Sequence, residues 1–174
     1  MVSCANRRAI LSLFLALFIA SGCVKSQPKP LQDLTSKTIL FITKDFSFYD
    51  VGIIKKYQNR IDLAIFNAGV VLINMNCYKN KVCINNNCYS QESINRQFFS
   101  DDSFSELDFI TLLEGKEIFN GENKKIIKNG FIQELNKGYL KATYKVTQDS
   151  ISFRVKDSSK KNIFVLEIDK IQGD

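Results

Sequence analysis

Cys23 closes the run Ile19-Ala20-Ser21-Gly22-Cys23, and its surroundings give it a chemistry. Arg7 and Arg8 stand ahead of an apolar stretch, Ala9–Ala20, and small residues separate that stretch from the cysteine. The apolar run has 12 residues, whereas a membrane-spanning helix needs about 20. A charged head and a short apolar segment make a leader that is cut away. Ala20, Ser21 and Gly22 let a peptidase reach the backbone. Cys23 then becomes the first residue of the mature chain, with its thiol as the site of lipid attachment. The plainer reading is an ordinary secretory leader with a chance cysteine. Acyl chains on Cys23 would hold a soluble domain at a membrane, each buried methylene adding roughly 0.8 kcal/mol.

Cys77, Cys83 and Cys88 also remain after cleavage, whereas Cys4 leaves with the leader. An odd number favours one bridge and one free thiol. Cys77 and Cys83 flank Tyr78-Lys79-Asn80-Lys81-Val82, and Cys83 and Cys88 flank Ile84-Asn85-Asn86-Asn87. Both segments suit turns, so Cys77–Cys83 and Cys83–Cys88 are each expected ahead of Cys77–Cys88. Three reduced thiols is the remaining alternative. A tetrahedral zinc set would lack its fourth Cys or His, and no metal or other cofactor is expected.

The chain contains no His and no Trp. That excludes His-dependent nucleophiles, His general bases and His metal ligands. Asp101-Asp102 and Glu106-Asp108 lack the alternating ligands and closing Glu of a calcium loop. They read instead as a solvated helix N-terminus, where the dipole favours them. Gly115, Gly121 and Gly130 form no phosphate loop. With no catalytic constellation visible, an enzyme is not expected. Net charge is +6, or about +4 once Arg7 and Arg8 are gone. The lysines are dispersed, as on a solvated surface with a weak preference for anionic lipid heads. No basic motif points to nucleic acid.

Removing residues 1–22 leaves 152, enough for one domain with a real core. Val24–Lys37 contains both prolines, Pro28 and Pro30, and reads as a tether running from Cys23 to residue 37. The domain is expected over 38–174. Strands are expected at Thr38–Thr43, Phe46–Ile54, Arg60–Phe66, Val70–Met75 and Lys81–Ile84. Asn67-Ala68-Gly69 forms a hairpin turn, with Asn67 and Gly69 suited to positive φ. Ser90–Phe99 is a short helix or an extended link. Ser103 and Glu106 have capping-box spacing, and Phe104–Glu114 is the strongest helix, ended by Gly115. Strands resume at Lys125–Lys128, Gly130–Leu135, Tyr139–Thr147, Ser150–Lys156 and Asn162–Ile171. These elements predict an α+β fold: a strongly curved antiparallel sheet, or half-barrel, with the helical insertion as a lid over an apolar interior.

Ile61–Met75, a strand pair around a short Gly-containing turn, the apolar stretch Phe104–Gly115 with its Leu112-Leu113-Glu114-Gly115 step, and the paired strands Tyr139–Val155 resemble the LolA/LolB-type lipoprotein-carrier fold. The likeness is closest to LolB, the outer-membrane lipoprotein receptor. The chain is also similar to small uncharacterised lipoproteins of ε-proteobacteria. The resemblance covers most of residues 38–171, through pattern rather than invariant residues. It implies a concave barrel that shelters acyl chains, and a protruding apolar residue at the turn matching Asn67–Gly69. Here that turn carries Ala68, with Phe66 beside it as the substitute insertion residue, and the family's tryptophans are missing. Val24 after Cys23, in place of the Asp that retains many enteric lipoproteins in the inner membrane, implies the outer membrane.

The function this implies is a lipid-anchored, monomeric protein that binds acyl chains or lipoproteins handed over by a periplasmic carrier and helps place them in the outer membrane. Ile61, Leu63, Ile65, Leu72, Phe104, Leu107, Leu112, Tyr144 and Phe153 are expected to line the cavity. The alternative is a structural or interaction lipoprotein with a filled core that displays its loops to a partner.

Overall fold

Apolar residues at every second position give a strand one buried face. Ile61, Leu63 and Ile65 follow that pattern, as do Leu140, Ala142 and Tyr144. The computed structural model describes residues 30–170. Its elements are β1 (Leu31–Ile42), β2 (Ser47–Tyr57), β3 (Arg60–Asn67), β4 (Val70–Tyr78), β5 (Lys81–Ile84) and β6 (Asn87–Ser90), then α1 (Gln91–Phe99) and α2 (Phe109–Leu113), then β7 (Lys124–Ile127), β8 (Gly130–Lys137), β9 (Leu140–Thr147), β10 (Ser150–Lys156) and β11 (Asn162–Lys170). All eleven strands share one sheet in the order β6-β5-β4-β3-β2-β1-β11-β10-β9-β8-β7. It consists of two meanders joined where β1 meets β11, from Lys37↔Lys170 to Ile42↔Val165.

This overturns the expected α+β half-barrel with a helical lid. The fold is nearly all-β, and the sheet is neither closed nor strongly curled, with β6 and β7 as its two free edges. Residues 91–123 connect one edge to the other, and α1 and α2 pack on strands of the sheet rather than over an open mouth. Their apolar faces, Ile94, Phe98 and Phe99 of α1 and Phe109, Leu112 and Leu113 of α2, are buried in the core.

The single helix expected at Phe104–Glu114 is broken at Asp108, and a separate 3-10 turn stands ahead of it. Asp101 caps a 3-10 turn at Asp102–Phe104 by accepting from the Ser103 amide. Asp108 starts α2 afresh, accepting from the Ile110 amide at 3.0 Å and the Thr111 hydroxyl at 2.8 Å. Each cap satisfies an orphan donor and restarts the helix. Ser90 caps α1 in the same way, through the Ser93 amide. The leader, Cys23 and the first part of the tether lie outside the described residues. The strand that begins at Leu31 reaches back into the segment expected to be tether, and its residues up to Ser36 pair with β2.

The core between sheet and helices is aromatic. The Phe164 ring lies 5.5 Å from Phe41, 5.4 Å from Phe98, 5.1 Å from Phe99 and 6.0 Å from Phe153. Gly52 lets β1 and β3 close on this core, because a Cβ there would lie 2.2 Å from Ile39 Cδ1. Among the described residues, Asn95 and Gln133 are the buried polar side chains. The Gln133 amide donates to the Ile118 and Glu122 carbonyls and accepts from the Ile118 amide, pinning the turn before β7. The Asn95 amide donates to the Ser105 and Leu107 carbonyls, which ties the 3-10 segment to α1.

Candidate functional site

Register gives the sheet two distinct ends. Leu31 pairs with Tyr57, and Tyr57 with Arg60, so the chain enters at the end holding the β2–β3 turn. The opposite, distal end holds the β1–β2 turn after Ile42, the β3–β4 hairpin and the β10–β11 turn. At about 3.3 Å per residue, β1 separates the two ends by roughly 35 Å.

Toward the distal end the β3–β4 hairpin parts from the strands on either side of it. Pairing of β3 with β2 stops at Ile65, and pairing of β4 with β5 starts only at Met75. Asn85 closes off the gap beside β5, with its Oδ1 accepting from the Asn74 amide at 2.9 Å. Phe66↔Val71 and Asn67↔Val70 therefore pair only with each other among the described residues. Ala68 and Gly69 form the two-residue loop, both with positive φ. Such a loop matches the twist of its strands. The left-handed conformation falls on Ala68, not on Asn67 as expected; alanine adopts it at a cost of about 1 kcal/mol. The tip Phe66-Asn67-Ala68-Gly69-Val70-Val71-Leu72 has no charge, and Val70 and Val71 are 69% and 49% exposed. Phe66 is half-buried at its base.

Most of the residues expected to line a cavity meet one another instead. Ile61, Leu63, Ile65, Phe104, Leu107, Leu112, Tyr144 and Phe153 are all buried within one cluster. Phe153 lies 6.1 Å from Phe104 and 5.9 Å from Tyr144, ring to ring. The Tyr144 hydroxyl donates to the Leu112 carbonyl at 3.0 Å, and burial raises its pKa. Leu72, expected among the lining residues, stands outside this cluster. The β3–β4 register shifts between Ile65 and Phe66, leaving Leu72 as the extra residue, 38% exposed beside the tip. One extra residue in a ladder changes which way side chains are presented.

Cys83 and Cys88 face each other across the β5–β6 hairpin and are bridged, while Cys77 is a buried free thiol. Burial raises the Cys77 pKa, and the charges of Asp62 and Asp108 add to the shift. A thiol so held is inert. At the entry end, the Arg60 guanidinium stacks 4.2 Å from the centre of the Tyr57 ring and lies 2.9 Å from Asp62. Among the described residues, no group of three or more His, Cys, Asp or Glu side chains is placed to hold a metal ion.

A distal-end cleft escaped the reading of the sequence. It is lined by Ile42, Lys44, Phe98, Ser100, Tyr139, Asp157, Lys161 and Ile163. These residues come from four separate stretches of chain, and no local spacing links them. Compared with protein-family models and with curated proteins, the chain matches none.

Proposed function

We propose that this chain is a lipid-anchored docking module of the outer membrane, which engages acyl-bearing partners with its distal hairpin tip rather than by enclosing their chains. The uncharged, exposed tip, unpaired with β2 and β5, carries this reading. The mutual packing of the residues expected to line a cavity favours a filled core over a carrier. A fully buried Val or Leu is worth about 1.5–3 kcal/mol, so sheltering the partly exposed Val70, Val71 and Leu72 contributes roughly 2–3 kcal/mol. That is weak for free association, but anchoring at Cys23 raises the effective concentration of the tip near other anchored molecules. The tip lies at the end of the sheet opposite the tether. It is thus offered to a lipoprotein arriving from the aqueous side, such as one brought by a periplasmic carrier.

The absence of Trp provides a clean test. A Val70→Trp variant of the chain from Val24 onward has one indole, at the tip. Added micelles of a synthetic triacylated lipopeptide should shift its emission to the blue, and a further Val71→Asp change should abolish the shift. An emission maximum that stays at the water value throughout the titration would remove the tip from the function.

A further inference from the structure

The distal cleft encloses about 440 Å³ where the β1–β2 turn, the β10–β11 turn, the C-terminus of α1 and Tyr139 converge. We propose that it binds a single-chain anionic amphiphile, a long-chain carboxylate, with the chain over an apolar floor and the head between Lys44 and Lys161. Ile42, Phe98 and Ile163 supply the floor, and Tyr139, half exposed, supplies the rim. Ile163 reaches the floor because the β10–β11 register shifts between Val155 and Lys156; it packs against the core although its strand position alone would turn it away. Phe98 and Phe99 pack against Phe164 and close the floor, so a bound chain lies along the surface and does not enter the interior.

The charges select the head. Asp157 is the carboxylate of the lining, and it is already committed. Its Oδ1 accepts from the Ser159 amide at 2.9 Å, the Ser159 hydroxyl at 2.6 Å and the Lys161 amide at 3.0 Å. These bonds shape the turn that places Lys161. Among the described residues neither Lys44 nor Lys161 forms a salt bridge. Two ammonium groups against one committed carboxylate leave the mouth net positive. A neutral chain would leave those charges unused and a small anion would leave the floor wet; a carboxylate with a long tail uses both. The cleft shares no residue with the hairpin tip, so it stands or falls apart from the docking reading.

The test is calorimetric titration of the chain from Val24 onward with sodium dodecanoate below its micelle concentration. This chain keeps every described contact, since those begin at Pro30. Saturable one-to-one binding is expected, with no response to acetate. A Lys44→Gln/Lys161→Gln double variant should bind roughly tenfold more weakly, the scale set by two exposed charge contacts, with an unchanged melting curve. The tip variant Val71→Asp should bind normally. Failure of dodecanoate to saturate overturns the proposal. So does equal affinity for dodecyltrimethylammonium, unchanged binding by the double lysine variant, or loss of binding in Val71→Asp.

Discussion

Replacing Phe153 by Ala separates a filled core from a ligand cavity. Phe153 is fully buried on β10, with its ring 6.3 Å from Phe99, 6.1 Å from Phe104, 5.9 Å from Tyr144 and 6.0 Å from Phe164. In a packed interior, Phe→Ala removes transfer free energy and leaves a void that its neighbours fill only in part, together costing about 3–5 kcal/mol. Were the ring lining an open, wet cavity, no new void would form and the loss would fall to about 1–2 kcal/mol of transfer free energy. A domain of this size loses about 2–4 °C of Tm per kcal/mol, so the packed case predicts a drop of roughly 10 °C. Urea unfolding at equilibrium measures it, with an unchanged slope showing that the transition stays two-state. Leu72→Ala, at the exposed bulge, is the control and should cost under about 1 kcal/mol. A loss below about 1.5 kcal/mol for Phe153→Ala, measured with a normal slope, would refute the filled core and return the acyl cavity to consideration.

Ala68→Asn should stabilise the chain by roughly 0.5–1 kcal/mol, because Asn tolerates the left-handed conformation that Ala68 adopts; chemical denaturation reads the gain. Gln133→Leu should cost about 2–3 kcal/mol, since it strips partners from the Ile118 amide and two carbonyls. Thermal melts of that variant should show the loss, and a change under about 0.5 kcal/mol would mean water takes the place of the amide. Stability should fall as pH rises above about 9. Tyr144 and Cys77 keep their protons in the fold beyond the pH at which the unfolded chain releases them, so their stabilising effect is complete below that range and fades above it. A Tyr144→Phe/Cys77→Ala variant should flatten this alkaline decline; an equally steep decline would locate its cause elsewhere. In the native state, iodoacetamide should leave Cys77 unmodified over hours, and breaking the Cys83–Cys88 bridge should cost about 2 kcal/mol in the loop-entropy account.

The strands were legible because alternation is local. Arg60–Asn67 and Ser150–Lys156 match their expected spans closely, since a half-buried strand records its two faces residue by residue. The Cys83–Cys88 pairing was one of two expected bridges, and the register of β5 and β6 decided between them. The shape of the sheet was not legible. Edges and curl depend on which strands meet, and β1 pairs with β11 across more than a hundred residues of intervening sequence. The Phe104–Glu114 helix failed because Asp108 was read as part of that helix's solvated N-terminus, whereas it is the cap of a new element. Leu72 failed because period-two reasoning breaks at one extra residue. At the tip, the turn and Phe66 were visible in the sequence, but not its isolation, which follows from where pairing with β2 and β5 stops.

The seam between β1 and β11 has a temporal meaning. The first strand of the domain cannot find one of its two neighbours until the last strand has been made. Until then β1 and β10 each present a bare edge, and the chain is two unfinished halves. Pairings this distant in sequence form slowly, and exposed strand edges invite wrong partners meanwhile. Truncation within β11 should therefore divide the protein down its middle rather than fray one end. A chaperone that shields β1 meanwhile would act on the strand made first, before the distal tip has a sheet to stand on.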